Sequence, residues 1–508
     1  MTNELSKILK NSISKEGPTT RYILNTTKIA EQNLLRKERI GEKNDERPHK
    51  IILLVGETGT GKTTLINAMV NYIMGVKWED RIWLEISDVL DGKSQTAAVT
   101  VYEIFARESP FSLTIIDTPG FGNTQGREKD KLIAEALQQL FRSEDGIHEI
   151  DAVCLVLKAS ESRLHERQRY IQDEIMSLFG KNLNQNIIIL LTNSNENIPK
   201  KLLHFIKASK IPCAKMKDDQ PVYFKFDNCQ SECCDEEDRE SYKSSWNQGI
   251  ENFKLFFDYL NGVIPISLNM TEGVLRARKQ LNENVNNLKK KLSELLEQKR
   301  KAEQTKKALE TLEEYRRTMN NFEYTDLEFY EDAVNIELSW WHLWWAIRCT
   351  QCQENCTYPG YWWFTFLFWF RVMTWRNCTV CSGKCHYTKH VKDDKIYDIV
   401  SRKVKKTEEN MKEKYEKDFR EQQSLMCRLE NKIKQTDAER IRLVEECYQC
   451  LEKLMETALK FTSMSTYKHL DFMIEKVKET GKQERVQKLE ELQIRAEEEN
   501  KGLIKNVS

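Results

Sequence analysis

"IILLVGETGTGKTTLINAM", residues 51–69, decides the fold because an apolar strand runs through a glycine-rich turn into a helical segment. The spacing Gly56-x4-Gly61-Lys62-Thr63 is the Walker A pattern of a phosphate-binding loop. Backbone N–H groups of such a loop wrap the phosphates. Lys62 would reach the β- and γ-phosphates, and Thr63 would ligate Mg²⁺. We expect nucleotide contacts from Gly56, Glu57, Thr58, Gly59, Thr60, Gly61, Lys62, Thr63 and Thr64. A glycine-rich turn without a ligand is the alternative.

A second motif, "LTIIDTPGFG" at residues 113–122, supports the same interpretation. Asp117 ends an apolar strand, as the Walker B carboxylate does, and would hold Mg²⁺ directly or through water. The Gly120 amide would face the γ-phosphate. The intervening stretch at residues 92–105 should supply a threonine that completes the Mg²⁺ shell, with Thr96 preferred over Thr100. A loop held by γ-phosphate and Mg²⁺ would make the domain a switch.

Charge balance, apolar runs and cysteine content limit the class of protein. The 508 residues carry 79 acidic and 79 basic side chains, a balance that gives no reason to expect a nucleic-acid partner. No signal-peptide core and no run of about 18 apolar residues is present, which predicts a cytoplasmic protein without a spanning helix. In that reducing compartment the 14 cysteines would be thiols or metal ligands rather than disulfides.

Composition divides the chain into five segments. Alternating apolar runs and amphipathic stretches predict an α/β domain with a mainly parallel sheet and helices on both faces. Charged helical tracts follow it, separated by an island rich in cysteine and tryptophan. The predicted segments are a polar arm at 1–48 with some helix, the P-loop domain at 49–265, a first coiled-coil helix at 270–325, the island at 326–391 and a second helical region at 392–508.

A heptad pattern marks the first helical tract. Apolar residues fall seven apart at Val274, Leu281, Leu288, Leu295, Ala302 and Leu309. This spacing is typical of a coiled coil, although Lys299 and Lys306 weaken the seam. The two tracts could form an antiparallel hairpin with the island at its tip. The same pattern would also serve helices that dimerise with another chain.

Residues 50 to 260 resemble the GIMAP/IAN class of GTPases, which belong with septins and the chloroplast-import Toc GTPases. The resemblance rests on "GETGTGKTTLINAM", "TIIDTPGFG" and "AVCLVLKASESRLHERQRYIQDEIMSLFG", the last with Arg163 and Glu166 in place. It covers about 40% of the chain and implies GTP and GDP binding with Mg²⁺, GTPase activity and nucleotide-dependent self-association. The island is similar to a Cys-rich region that follows such domains in some animal proteins.

The base-reading motif departs from the pattern of ordinary GTPases. Their Asn-Lys-x-Asp is replaced by Thr192-Asn193-Ser194-Asn195, which lacks the aspartate. Toc-like proteins also lack it. By this resemblance Thr192 and Asn193 would lie at the base, and Asn228 would touch it from a neighbouring loop. The alternative is that both asparagines simply form turns. The sequence favours guanine and leaves ATP open.

No catalytic side chain is identified. Ras-type enzymes orient water with a glutamine just after the glycine of this motif, and Phe121 stands there instead. We therefore expect slow hydrolysis, accelerated when a second G domain supplies a group. Arg163 and Arg167 are weak candidates for that group.

The island contains "CTQCQENC" at 349–356 and "CTVCSGKCHYTKH" at 378–390. Paired Cys-x2-Cys knuckles predict structural Zn²⁺, because so small a segment needs a metal to fold. The pairing of ligands stays open, and the candidates are Cys349, Cys352, Cys356, Cys378, Cys381, Cys385, His386 and His390. The aromatic stretch at 361–370 could cover this site, or could be exposed to a membrane surface or a partner.

Three functions fit the pattern. The first is a GTP-binding switch, acting as a homo-oligomer through its G domain or coiled coil. The second is a nucleotide-binding coiled-coil and zinc scaffold without significant turnover, and the third is a P-loop ATPase. The sequence names no protein partner and leaves a peripheral membrane location open.

Overall fold

The structure is a computed structural model that describes residues 9, 12–15, 20–32, 35–43, 47–86, 98–107, 109–122, 127–159, 166–194, 200–208, 211–228, 239–318, 325–335, 344–361, 373–374, 376–393, 395–405, 411–461 and 464–505. The chain divides into two compact units, the first formed by Met1–Val285 with Val444–Ser508 and the second by Asn286–Leu443.

The first unit contains thirteen strands among the described residues. These strands are β1 Ile13–Lys15, β2 Thr20–Ile23, β3 Thr27–Gln32, β4 Leu35–Ile40, β5 His49–Val55, β6 Ile82–Glu85, β7 Val99–Ile104, β8 Ser112–Asp117, β9 Glu149–Ile150, β10 Ala152–Lys158, β11 Ile187–Thr192, β12 Tyr223–Lys225 and β13 Ile266–Ser267.

The helices of the described chain follow, of which α6 and α7 each have residues in both units. They are α1 Lys62–Ile73, α2 Arg127–Arg142, α3 Glu166–Ser177, α4 Lys200–Ala208, α5 Arg239–Asn261, α6 Asn269–Thr318, α7 Met411–Thr457, α8 Met464–Lys478 and α9 Gln483–Lys505. No helix among the described residues is long and apolar enough to cross a membrane.

The central sheet of the first unit has eight strands in the order β12-β11-β10-β5-β8-β7-β4-β3. It is mainly parallel, and only the pairs β7–β8 and β3–β4 are antiparallel. The predicted mainly parallel α/β fold is therefore confirmed. The polar arm predicted at 1–48 contributes β3 and β4 to this sheet instead of helix. A sheet edge needs only backbone partners, so these polar residues can form strands.

Both faces of the sheet are buried, which explains the continuous apolar run in β5. Ile52 and Leu54 belong to the core on one face, together with residues of α1 and α5. Leu53 and Val55 belong to the core on the other face, together with residues of α2 and α3. Successive strand residues point to opposite faces, so a strand covered on both sides must be apolar throughout. Packing on both faces therefore holds the carboxyl end of β5 in place, and this end positions the loop that follows.

The second unit contains the island. Its strands are β14 Thr325–Asn335, β15 Trp344–Cys349, β16 Asn355–Tyr361, β17 Met373–Thr374, β18 Asn377–Cys378, β19 His390–Asp393 and β20 Lys395–Lys405. β14 and β20 pair antiparallel along their whole length, and β15 lies between β16 and β19. The helical region predicted from 392 thus begins with a strand, and α7 starts at Met411. The sequence "KIYDIVSRKVK" is rich in β-branched residues, which favour strands.

The parts of α6 and α7 that lie in the second unit pack against each other. Lys291 Nζ lies 2.8 Å from a Glu439 carboxylate oxygen, and Tyr415 donates a 3.1 Å hydrogen bond to the Leu312 carbonyl. From the first contact to the second, the residue number rises along α6 and falls along α7, so the two helices are antiparallel. Leu295, on the predicted seam, is buried. The described residues thus show the partner helix within the same chain, as the hairpin interpretation predicts.

Candidate nucleotide and metal sites

The turn between β5 and α1 has the backbone of a phosphate-binding loop. Gly59 and Gly61 have φ angles of +84° and +85°, which side chains other than glycine rarely adopt. A Cβ on Gly56 would lie 2.6 Å from the Val156 carbonyl oxygen, so this position also requires glycine. Thr60 Oγ1 donates to the Glu57 carbonyl at 2.9 Å and closes the turn. The loop therefore exposes backbone N–H groups at the N-terminus of α1.

Lys62 is buried at the centre of this loop. Its ammonium group donates 3.0 Å hydrogen bonds to the carbonyl oxygens of Gly56 and Glu57. Burial lowers the pKa of Lys62 from 10.5 to about 8, although Asp117 and Glu57 favour the charged form. An anionic phosphate at this position would favour the ammonium further. The geometry thus provides a cation in a dry environment beside the predicted phosphate site.

The DTPG motif is hydrogen-bonded directly to the phosphate loop. The Phe121 N–H donates to the Gly56 carbonyl at 3.1 Å, and the Thr58 N–H donates to the Phe121 carbonyl at 3.2 Å. Thr118 Oγ1 donates to the Leu54 carbonyl at 2.8 Å. A Cβ on Gly120 would lie 2.4 Å from the Thr58 Cα. Any movement of this segment is therefore coupled to the loop.

The structure brings two of the three predicted Mg²⁺ ligands to the same end of the sheet. Asp117 is buried at the end of β8, and the electrostatic effect of its carboxylate on Lys62 places it beside the loop. Thr63 is the second residue of α1 and is half-buried, while Thr64 is exposed. Thr96 lies outside the described residues. Thr100 faces Asp117 in the β7–β8 register, but its hydroxyl donates to the Ala98 carbonyl at 3.3 Å.

The predicted base-binding residues lie on two adjacent segments. Thr192 is buried, and its hydroxyl donates to the Thr60 carbonyl at 2.6 Å, so it anchors the phosphate loop. Asn193 is exposed with a φ of +50°. The Ser194 N–H donates to the Phe226 carbonyl at 3.2 Å, which aligns the segment containing Asn228 beside the end of β11. Asn195 and Arg163 lie outside the described residues.

Two buried polar atoms in this region have no hydrogen-bond partner among the described residues. They are the Ser194 hydroxyl oxygen and the Asn228 amide nitrogen. Buried polar groups are normally hydrogen-bonded, so these two atoms have the capacity to bind a water molecule or a polar ligand. Sequence reasoning missed Ser194, although it stands within the motif that replaces Asn-Lys-x-Asp. It also missed Thr118, which anchors the DTPG segment.

The island gathers seven of the eight predicted zinc ligands into two groups. Among the described residues, the ligand atoms of each group lie within 4.8 Å of one another. The groups are Cys349, Cys352, Cys381 and Cys385, and Cys356, Cys378, Cys381 and His390. His386 belongs to neither group, and its Nδ1 contacts Thr388 Oγ1 at 2.9 Å. None of the described cysteines forms a disulfide.

A strand–loop–helix with this glycine pattern, a buried lysine and a strand-end aspartate defines a P-loop domain of the G-domain type. Comparison with known proteins gives the family of this segment. Residues 50–232 match the AIG1 family model, so they form an AIG1-type P-loop GTPase domain. The predicted GIMAP/IAN resemblance is confirmed for this segment. The match does not extend to the island, whose resemblance stays a prediction.

Among curated proteins, the chain is similar to GTPase Era of Mycobacterium leprae, with 29% identity over 29% of this chain and 41% of that protein. Septin-1 of Drosophila melanogaster is 30% identical over 19% of this chain and 27% of its own length. GTP-binding protein A of Dictyostelium discoideum is 26% identical over 29% of each chain. The chain thus spans less than half the length of each of these relatives.

Among solved structures, Toc33 of Arabidopsis thaliana in complex with Mg²⁺ and GMPPNP matches with a TM-score of 0.27 and 17% identity. The match covers 41% of this chain and 87% of Toc33.

Proposed function

We propose that this protein binds GTP with Mg²⁺, hydrolyses it slowly and uses the nucleotide state as a switch. The observation that carries the proposal is the phosphate loop, in which buried Lys62 lies between the loop carbonyls and the DTPG segment closes over it. The AIG1 family match over residues 50–232 supports the same function. Thr63 and Asp117 are the proposed Mg²⁺ ligands of the described chain, and Thr96 is proposed from the sequence.

Guanine is the proposed base. The buried Asn228 amide nitrogen is a hydrogen-bond donor, and guanine presents the O6 acceptor where adenine presents an N6 donor. Two donors facing each other would leave both without a partner, which costs about 1–3 kcal/mol. Asn228 therefore supports GTP over ATP. Asn193, which is exposed beside it, is the proposed contact to the ring.

Phe121 supports slow GTP hydrolysis, and it also supports a second candidate function without hydrolysis. It occupies the position of the water-orienting glutamine, its backbone is bonded to the phosphate loop, and its ring is buried in the core. Neither the bonded backbone nor the buried ring of Phe121 can orient a water molecule. The second candidate is accordingly a scaffold that holds nucleotide without significant turnover. A GTPase of the first kind would need a group from a second G domain, which also gives a reason for self-association.

The switch is proposed to act on the base of α6 within the first unit. Phe121 lines a cavity of about 160 Å³ whose wall also includes Asp130, Leu275 and Arg278. Asp130 accepts a hydrogen bond from the Gly122 backbone, next to the DTPG motif. A rearrangement of this motif on γ-phosphate loss would therefore change the packing beneath α6. Interfaces of this kind convert small shifts into discrete rearrangements.

Structural zinc is the proposed role of the island. The buried cysteines in the two groups belong to a small core cluster of their own, made almost entirely of cysteine. Among the described residues this cluster has few apolar side chains besides the cysteines, and Zn²⁺ binding would supply folding free energy directly. No predicted ligand group leaves an obvious open position for substrate. The island is therefore proposed to be architectural, and the nucleotide site is the only proposed source of turnover.

Calorimetry on the full chain with Mg²⁺ tests nucleotide binding. GTP and GDP should bind and ATP should bind more weakly. Lys62→Ala should weaken GTP binding about 10- to 100-fold, because a charge-assisted contact is lost. Lys217→Ala is the matched control, since Lys217 is exposed on the same domain, and it should bind like the parent chain. Absence of affinity for all three nucleotides in folded protein would exclude the proposal.

Phosphate release as a function of protein concentration separates the two candidates. A switch that completes its site by self-association should show a specific activity that rises with concentration, and light scattering should show larger species with a GTP analogue than with GDP. The scaffold should bind GTP with no turnover at any concentration. Turnover that is fast and independent of concentration would contradict the reasoning from Phe121.

A further inference from the structure

The island's seven ligands are one too few for two separate tetrahedral metal sites. Structural Zn²⁺ takes four ligands, so two ions need eight ligand positions. The two groups contain seven residues because Cys381 belongs to both. We propose that the island holds a binuclear zinc cluster in which the Cys381 thiolate bridges the two ions. This inference rests on the proposed zinc-binding role of the island and specifies its stoichiometry and ligand pairing.

The distances between ligand atoms fit metal coordination. Two thiolates on one tetrahedral Zn²⁺ lie about 3.8 Å apart, and a thiolate and an imidazole nitrogen about 3.6 Å, given bonds of about 2.3 and 2.0–2.1 Å. Cys352 Sγ lies 3.4 Å from Cys385 Sγ in the first group. Cys381 Sγ lies 3.8 Å from His390 Nε2 in the second. A disulfide would require about 2.05 Å, so no pair here is oxidised.

The bridging sulfur belongs to a buried residue at the centre of the two groups. Cys381 is buried, and its Sγ accepts a hydrogen bond from the Cys385 N–H at 3.3 Å. Thiolates in metal sites are commonly stabilised by such surrounding donors. Cys349 and Cys378 each accept a backbone N–H in the same way, at 3.4 Å from Cys352 and Val380. Each group thus contains one thiolate of its own that accepts a backbone N–H, Cys349 in the first and Cys378 in the second. Cys381, which both groups share, accepts one as well.

His390 is prepared as a ligand, whereas His386 is not. His390 Nδ1 lies 3.2 Å from the His386 carbonyl oxygen, which places the proton on Nδ1 and leaves Nε2 free to bind a metal. His390 is also buried and pairs with Cys349 across β15 and β19. The eighth candidate, His386, lies in neither group of ligand atoms. The missing eighth position is therefore filled by sharing Cys381.

Gly383 supports the close approach of the sulfurs. A Cβ at this position would lie 2.8 Å from Cys352 Sγ and 3.0 Å from Cys385 Sγ. The first distance is shorter than real Cβ contacts and the second is tighter than most, so a side chain here would displace at least one of the two sulfurs. The loop between Cys381 and Cys385 is thus shaped for the first of the two metal positions.

Metal counting on the full chain tests the stoichiometry. Native mass spectrometry of protein prepared with zinc should give two ions per chain, and His386→Ala, the matched control, should keep both. Cys352→Ser should retain only the ion of the second group, and Cys356→Ser only that of the first. Cys381→Ser should lose both, since each group then has three ligands. One ion in the parent chain would overturn the binuclear cluster but keep the zinc role, and none would overturn both.

The bridge itself is tested without any substitution. Cadmium-113 replacement should give two resonances that show scalar coupling to each other through the shared sulfur. X-ray absorption of the zinc protein should show a metal–metal distance below about 4.6 Å, the limit set by two bonds of about 2.3 Å to one sulfur. Two uncoupled resonances, or loss of one ion only from Cys381→Ser, would overturn the bridge. Nucleotide binding measured in parallel stays independent of either result.

Discussion

Raising the pH above about 8 should weaken nucleotide binding through Lys62. Burial lowers the pKa of this lysine from 10.5 to about 8 in the nucleotide-free protein. That difference corresponds to about 3 kcal/mol between the two protonation states. Bound phosphates favour the ammonium, so above pH 8 the protein must take up a proton on binding. Affinity should therefore be constant below about pH 8 and fall up to about tenfold per pH unit above it.

The assay is calorimetry of GDP·Mg²⁺ binding from about pH 7 to about pH 9, in buffers of different ionisation enthalpy that report proton uptake. Lys62→Arg is the matched variant because its guanidinium stays charged throughout. It also corrects for the titration of the guanine base. At the alkaline end the parent chain should take up close to one proton more per GDP than the variant. Parallel pH profiles for both proteins would refute a depressed pKa at Lys62.

Three further outcomes follow from the structure. Gly120→Ala should abolish or strongly weaken GTP binding in calorimetry, because its Cβ would meet the Thr58 Cα at 2.4 Å and one of the two motifs must move. Arg278→Met should lower the free energy of urea unfolding by about 3–5 kcal/mol, since four oxygen atoms lose their hydrogen-bond donor, while GDP affinity is kept. Arg485 lowers the pKa of Glu445 to about 2, so the stability this carboxylate contributes, about 1 kcal/mol, is present above about pH 4.5 and lost toward pH 2. Glu445→Gln should accordingly lower the melting temperature at pH 7 and leave it unchanged near pH 2.

The G domain could be predicted from the sequence because its constraints are local. Gly56, Gly61 and Lys62 stand at a fixed spacing, and the flanking run is apolar because the strand is buried on both faces. The strands β3 and β4 could not be predicted in the same way. Their residues are polar, and only pairing with the edge of a distant sheet makes them strands. Such long-range pairing leaves little trace in a local pattern.

Residue type alone does not show which partner each hydroxyl group of the predicted nucleotide site uses. Thr192 reads as a base contact by analogy with the motif it replaces, yet its hydroxyl is used on the Thr60 carbonyl. Thr100 faces Asp117 in the sheet, but its hydroxyl bonds to its own strand. Hydroxyl groups have many acceptors within reach, so only coordinates show which one a threonine uses. The buried ring of Phe121 belongs to the same category, since an aromatic residue in that loop could equally be exposed.

The metal ligands show the limit most clearly. Cys-x2-Cys spacing predicts that Cys349 and Cys352 can share one ion, and their sulfurs lie in one group. The same spacing predicts that Cys378 and Cys381 share one ion, yet Cys381 also lies with Cys349 and Cys352. Spacing reports which cysteines can meet in one turn, whereas a bridging role depends on how two separate turns are brought together by β15, β18 and β19. A sequence can therefore count ligands, and only the fold decides how many ions they serve.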